Sequence, residues 1–80
     1  MRRVGRPNGK VSILCTYDVD QKDHIVYCIG VDESGKYYSV EEHEYSIGSA
    51  YSVTTVYYIL EDPEAEDLRR RSRMLGYSKE

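Results

Sequence analysis

The chain has no tryptophan, no phenylalanine, only two cysteines and two prolines, and no apolar run longer than the five residues Val56-Tyr57-Tyr58-Ile59-Leu60. Each absence narrows what the molecule is. A membrane-spanning helix needs about 20 consecutive apolar residues, so none is expected. Met1-Arg2-Arg3 is basic, but no apolar stretch follows it as in a secretory signal. The chain is therefore read as cytoplasmic, with Cys15 and Cys28 as free thiols. These cysteines are thirteen residues apart, and no CxxC or HxxxH spacing occurs, so neither zinc nor a disulfide framework is expected.

The chemistry of catalysis is equally sparse. His24 and His43 are the only imidazoles, and no nearby serine or cysteine sits in a nucleophile elbow. Gly30, Gly35 and Gly48 are isolated, so no phosphate-cradling loop is written here. A pair of carboxylates working as acid and base needs a concave apolar pocket, which a thin sheet of this length leaves little room to form. The expectation is a protein that is not an enzyme, with no catalytic residue, no metal and no cofactor.

What is present is charge, unevenly placed. Within 80 residues and 9.3 kDa, which allow one domain, residues 1–10 carry +4 and residues 69–80 carry +4. Residues 11–68 between them hold thirteen acids against Lys22 and Lys36, a balance of −11. Nine tyrosines do all the aromatic work. Tyrosine joins apolar area to a hydroxyl, which suits half-exposed sheet faces and interfaces.

Periodicity predicts an α+β fold, a four-stranded antiparallel β-meander with one C-terminal helix packed on the sheet. Residues 1–9 read as a flexible basic arm and residues 10–80 as the domain. Val11, Ile13, Cys15, Tyr17 and Val19 alternate along a first strand. Ile25, Tyr27, Ile29 and Val31 do the same in a second, over residues 24–32. Matching the two apolar sets pairs Val19 with Ile25, Tyr17 with Tyr27, Cys15 with Ile29 and Ile13 with Val31, and turns the cysteines to opposite faces. Glu33-Ser34-Gly35-Lys36 reads as a two-residue hairpin loop, with Val31 opposite Tyr38 and Ile29 opposite Val40. The third strand, residues 37–45, runs into Glu41-Glu42-His43-Glu44 and reads as a charge-protected edge. Residues 46–50 read as a loop and 51–60 as the fourth strand. Asp62 suits a helix N-cap, Pro63 the first helical position and Gly76 the C-cap. Ala65, Leu68, Ser72 and Leu75 form the apolar stripe of that helix.

Two functional readings follow. In the leading one the chain is a binding protein whose acidic, tyrosine-rich sheet engages a basic partner, itself a nucleic-acid-binding protein. The residues are Asp18, Asp20, Asp32, Glu41, Glu42, Glu44, Tyr37 and Tyr45. Carboxylates two apart on a strand, such as Asp18 and Asp20, imitate the spacing of backbone phosphates. Size and charge together are those of a phage or mobile-element inhibitor of host restriction or CRISPR machinery. The alternative is a nucleic-acid-binding regulator that uses Arg2, Arg3 and Arg6 in the arm with Arg69, Arg70 and Arg73 in the helix. Gly5-Arg6-Pro7 resembles part of the AT-hook core, although Val4 stands where that core has arginine. An edge strand also offers a route to a homodimer. In the helix, Glu66 with Arg70 and Asp67 with Arg71 are spaced as i,i+4 ion pairs. His24 is expected to pair with Asp20, and His43 to face solvent.

Overall fold

The computed structural model describes residues 1–76. Lys79 and Glu80, part of the C-terminal charge block, lie outside the described residues. The elements are β1 (Arg2–Val4), β2 (Val11–Asp20), β3 (Ile25–Asp32), β4 (Tyr37–Ile47), β5 (Ala50–Leu60) and α1 (Asp62–Met74). The strands form a single antiparallel sheet in the order β1-β5-β4-β3-β2, and the class is α+β as expected.

The sheet has five strands where four were expected. The added strand is β1, which pairs with β5 through Arg2↔Ile59, Arg3↔Tyr58 and Val4↔Tyr57. Three residues are too few to show a period, so only the partner reveals it. Because β5 follows β4 in the sheet, β4 is interior and not an edge. Its first residues, Tyr38, Ser39 and Val40, are buried, and its acids begin where the sheet runs out toward solvent.

The β2–β3 hairpin closes through residues 21–24, with His24 in the left-handed region at φ 56°. Its register is not constant. Asp20↔Ile25 and Asp18↔Tyr27 give way to Thr16↔Cys28 and Cys15↔Ile29, then to Ile13↔Gly30 and Val11↔Asp32. Two bulges, between Ile13 and Cys15 and between Thr16 and Asp18, each insert one residue. The expected pairing holds at Cys15↔Ile29 and slips by one on either side of the bulged stretch. Leu14, out of phase with the alternation, is the residue inserted by one bulge and Tyr17 by the other.

The β3–β4 loop has three residues, not two. Asp32 N–H donates to the Lys36 carbonyl and Gly35 N–H to the Asp32 carbonyl, at 3.0 and 3.1 Å. Gly35 takes φ 87°, the left-handed residue that such a three-residue hairpin requires. Val31 therefore faces Tyr37 and Ile29 faces Ser39. Residues 46–50 are not a loop either: β4 runs to Ile47, β5 starts at Ala50, and Gly48-Ser49 alone turn the chain, with Gly48 at φ 61°.

Helix α1 starts one residue earlier than expected, with Glu61 extended at the N-cap, Asp62 already helical and Pro63 in the first turn. It ends at Met74 with Leu75, not the expected Gly76, as its C-cap, and Gly76 follows at φ 78°. Asp62 and Glu64 in its first turn, and Arg71 and Arg73 in its last, complement its dipole. The helix crosses the sheet obliquely. Near β1, Glu64 accepts from the Met1 amino group at 3.4 Å; at the far edge, the Ser72 hydroxyl donates to the Thr16 carbonyl. That carbonyl sits at a bulge, where the ladder is interrupted.

Beneath the helix, Ala65 closes on Cys15, Tyr17, Ile29 and Leu60, with Leu14, Tyr27, Tyr37 and Leu68 around them. Full burial of a residue such as Ile29 contributes about 1.5–3 kcal/mol. Leu75, assigned to the apolar stripe, is half exposed because the helix has passed the edge of the sheet by then. The opposite face carries a second cluster, Cys28, Tyr38 and Val40, flanked by Val4, Val11, Val26, Tyr57 and Ile59. The cysteines are free and lie in different clusters, on opposite faces as expected.

Candidate functional site

Antiparallel partners share a face, so register decides which side chains stand together. Tyr38, Val40, Glu42, Glu44 and Ser46 share the face without the helix with Ile59, Tyr57, Thr55, Val53 and Tyr51 of β5. Tyr37, Ser39, Glu41, His43 and Tyr45 share the helix face with Ile29, Tyr27 and Ile25 of β3. The acids singled out from sequence are thereby divided. Asp18, Asp20 and Glu41 are on the helix side, and Glu42 and Glu44 on the other.

Several of the divided acids already have partners. Asp18 accepts from the Arg71 guanidinium at 3.1 Å and from the Val19 N–H at 2.9 Å. Glu41 meets His43 Nε2 at 3.1 Å, so His43 is half-buried against a carboxylate rather than facing solvent. Asp20 accepts from the Asp23 N–H at 3.0 Å, which closes the turn without His24. Asp32 is committed to its hairpin. Its Oδ1 accepts from the Ser34 N–H, the Ser34 hydroxyl and the Lys36 N–H, and its Oδ2 from the Tyr38 hydroxyl. The Ser34 hydroxyl and the Lys36 amide, the strongest of these donors, hold its pKa down to about 2. Tyr37 packs at the rim of the core beneath the helix.

Glu42, Glu44 and Tyr45 remain: Glu42, half-buried opposite Val26, lies at the root of a projecting element, and Glu44 and Tyr45 stand on it. At its distal end β3 reaches only as far as Ile25, opposite His43, and β1 covers only Tyr57 to Ile59. Residues 44–53 therefore stand out as a two-stranded ribbon, roughly 13 Å long at 3.3 Å per residue. The chain's radius of gyration is 13.1 Å, against about 12 Å for a compact chain of this length. Ile47, Tyr51, Tyr45 and Val53 are 82, 66, 51 and 46% exposed. Partial desolvation, then the charge of Glu44 and a hydrogen bond to it, pushes the Tyr51 hydroxyl pKa up. His24, Glu44, Tyr45, Ser46 and Tyr51 enclose a depression of about 150 Å³ at the root of the ribbon. Ile47 was missed from sequence because residues 46–50 looked like a loop, and Tyr51 and Val53 because their face is set by the β4–β5 register. The signal was there: no charged residue occurs from Tyr45 to Leu60.

The arginines do not converge. Arg2 and Arg3 lie on β1 and Arg6 follows it, at one edge of the sheet, whereas the C-terminal turns of α1 lie over β2 at the other. Four strand spacings separate those edges, about 19 Å. Arg70 pairs with Asp67 at 3.6 Å and Arg71 with Asp18, in place of the expected i,i+4 pairs. Arg69 lines a hollow with Tyr37, Asp62, Ala65 and Glu66, so it faces acids. Arg73 stands in the last turn, where the dipole favours a cation.

Among the described residues, no helix is long and apolar enough to cross a membrane, and no group of three or more His, Cys, Asp or Glu is placed to hold a metal ion. The Cys28 thiol is pushed up by burial, which keeps it protonated and unreactive. Comparison of the chain with protein-family models, with curated proteins and with solved structures finds no match.

Proposed function

We propose that this chain is a small non-enzymatic binding protein whose acidic, tyrosine-bearing sheet engages the basic surface of a nucleic-acid-binding protein. One observation carries the reading: Glu42, Glu44 and Tyr51 stand together on the ribbon half of the uncovered face, and no lysine or arginine occurs from residue 37 to residue 68. Two carboxylates at alternate positions of a strand lie about 6.8 Å apart, close to the step between backbone phosphates. An arginine-lined groove that fits nucleic acid accepts such a row. Tyr51 supplies flat apolar contact on the same face, and long-range attraction speeds the encounter. In its sharpest form the reading is nucleic-acid mimicry of the kind that inhibits host restriction or CRISPR machinery. Relative to the sequence expectation, the contact set keeps Glu42 and Glu44 and exchanges Tyr45, on the opposite face, for Tyr51.

The test is capture of a heparin-retained protein fraction on the immobilised chain, with duplex DNA and RNA as competitors. Basic proteins are expected to bind, to be released by nucleic acid, and to be lost with the Glu42→Gln/Glu44→Gln/Tyr51→Ala variant. Retention unchanged by that variant overturns the reading. So does a mobility shift of nucleic acid by the chain itself, which would instead favour the arginine-based alternative.

A further inference from the structure

The two edges of the sheet are built in opposite ways. β2 is blunted by two bulges and carries Asp18 and Asp20, the devices that keep an edge from recruiting another strand. β5 has none of them. Its ladder with β4 runs without a register shift from Tyr37↔Leu60 to Ile47↔Ala50. It contains no charge, no proline and no glycine. β1 pairs with Tyr57 to Ile59, and among the described residues nothing pairs with the outer edge of residues 50–56. That edge offers a row of backbone N–H and C=O groups on a β-rich segment, Ala-Tyr-Ser-Val-Thr-Thr-Val, whose first six residues are exposed.

We infer that this edge pairs with the same edge of a second copy, so that two sheets join antiparallel into one of ten strands. Charge selects the occupant. Outside it, residues 11–68 carry −11, so two copies repel one another over most of their surfaces. The β5 edge is the strand edge where they meet without opposing like charges. Symmetry then sets the register. A two-fold axis perpendicular to the sheet keeps each face on its own side, so residues facing each other must have numbers of the same parity. Residues 50–56 pair in full only when Val53 faces the partner copy's Val53. Tyr51 then stands beside Thr55 of the partner subunit, and Ser52 beside Thr54 of the partner subunit. The Glu42–Glu44 rows stay displayed on the common face, one strand in from the junction, so self-pairing through the β5 backbone leaves those carboxylates open to the proposed partner.

Light scattering and sedimentation over a concentration series test this. The expected result is a mass that rises from 9.3 kDa to twice that value. Val53→Lys sets two cations against each other at the axis and is expected to weaken association at least about tenfold, with an unchanged circular dichroism spectrum. Ile47→Lys, on β4 and more exposed than Val53, is expected to leave it unaffected. As a second measurement, Val53→Cys is expected to give a covalent dimer under mild oxidation, while Tyr45→Cys gives none; the native thiols are buried. A monomer mass up to about 1 mM, the weak end of measurable association, overturns the proposal. So does association lost with Ile47→Lys but kept with Val53→Lys, or absence of the Val53→Cys cross-link in a dimer.

Discussion

Tyr17 and Ser39 form a buried polar pair, hydroxyl to hydroxyl at 2.6 Å, beneath the helix. Burial, only partly opposed by the serine, raises the tyrosine pKa. Ser39→Ala strands the Tyr17 hydroxyl in the core and is expected to cost about 1–3 kcal/mol, read as a lower urea midpoint. Adding Tyr17→Phe to that variant removes the stranded group and should recover part of the loss. Gly30 answers to a different constraint. A Cβ there would stand 2.6 Å from Val11 Cγ1 and 3.2 Å from Val40 Cγ2. Gly30→Ala is expected to destabilise by roughly 1–3 kcal/mol through overpacking, and Val11→Ala in the same chain to relieve it. Asp32 sets an acid limit. Its folded pKa of about 2 is below the ordinary 3.8, so its contribution is full above pH ~4 and is lost as pH falls through ~2. The gap in urea midpoint between the native chain and Asp32→Ala should narrow over that interval.

At the scale of elements, the ribbon and the body differ in what holds them. Residues 44–53 enter neither apolar cluster, and an isolated two-stranded hairpin is only marginally stable in water. Amide exchange in the monomer is expected to be fast in residues 45–52 and slowest around Ile29, Ser39 and Val40, which are 0, 0 and 2% exposed. Uniform protection along β4 would contradict this. Alternation located the four long strands, and Pro63 with Gly76 bracketed the helix to within a residue, because those signals are local. Bulges are not: Leu14 out of phase was the sole mark of the first, and counting by twos passes over it. β1 was unreadable for the reason that it exists, since its pairing belongs to β5. Of the site, Glu42, Glu44 and Tyr45 were legible as acidic and aromatic residues on a strand. Their separation from Asp18 and Asp20 was not, because faces are assigned by register and register by loop length.

For the whole molecule, the division of labour is between a clamped body and an unsupported extension. Replacing residues 45–52 by Asn-Gly joins Glu44 directly to its cross-strand partner Val53. The body is expected to keep its thermal unfolding midpoint within a few degrees, measured by circular dichroism, since neither cluster loses a member. A collapse of the midpoint would mean that the extension supports the core. The two cysteines make the body's own stability legible without further engineering. One thiol is sealed beneath the helix and the other behind the opposite surface. A pulse of alkylating reagent under partly denaturing conditions therefore reports on each half separately. If the helix peels away before the sheet comes apart, Cys15 will be modified first, and the order of labelling becomes a built-in record of how the molecule opens.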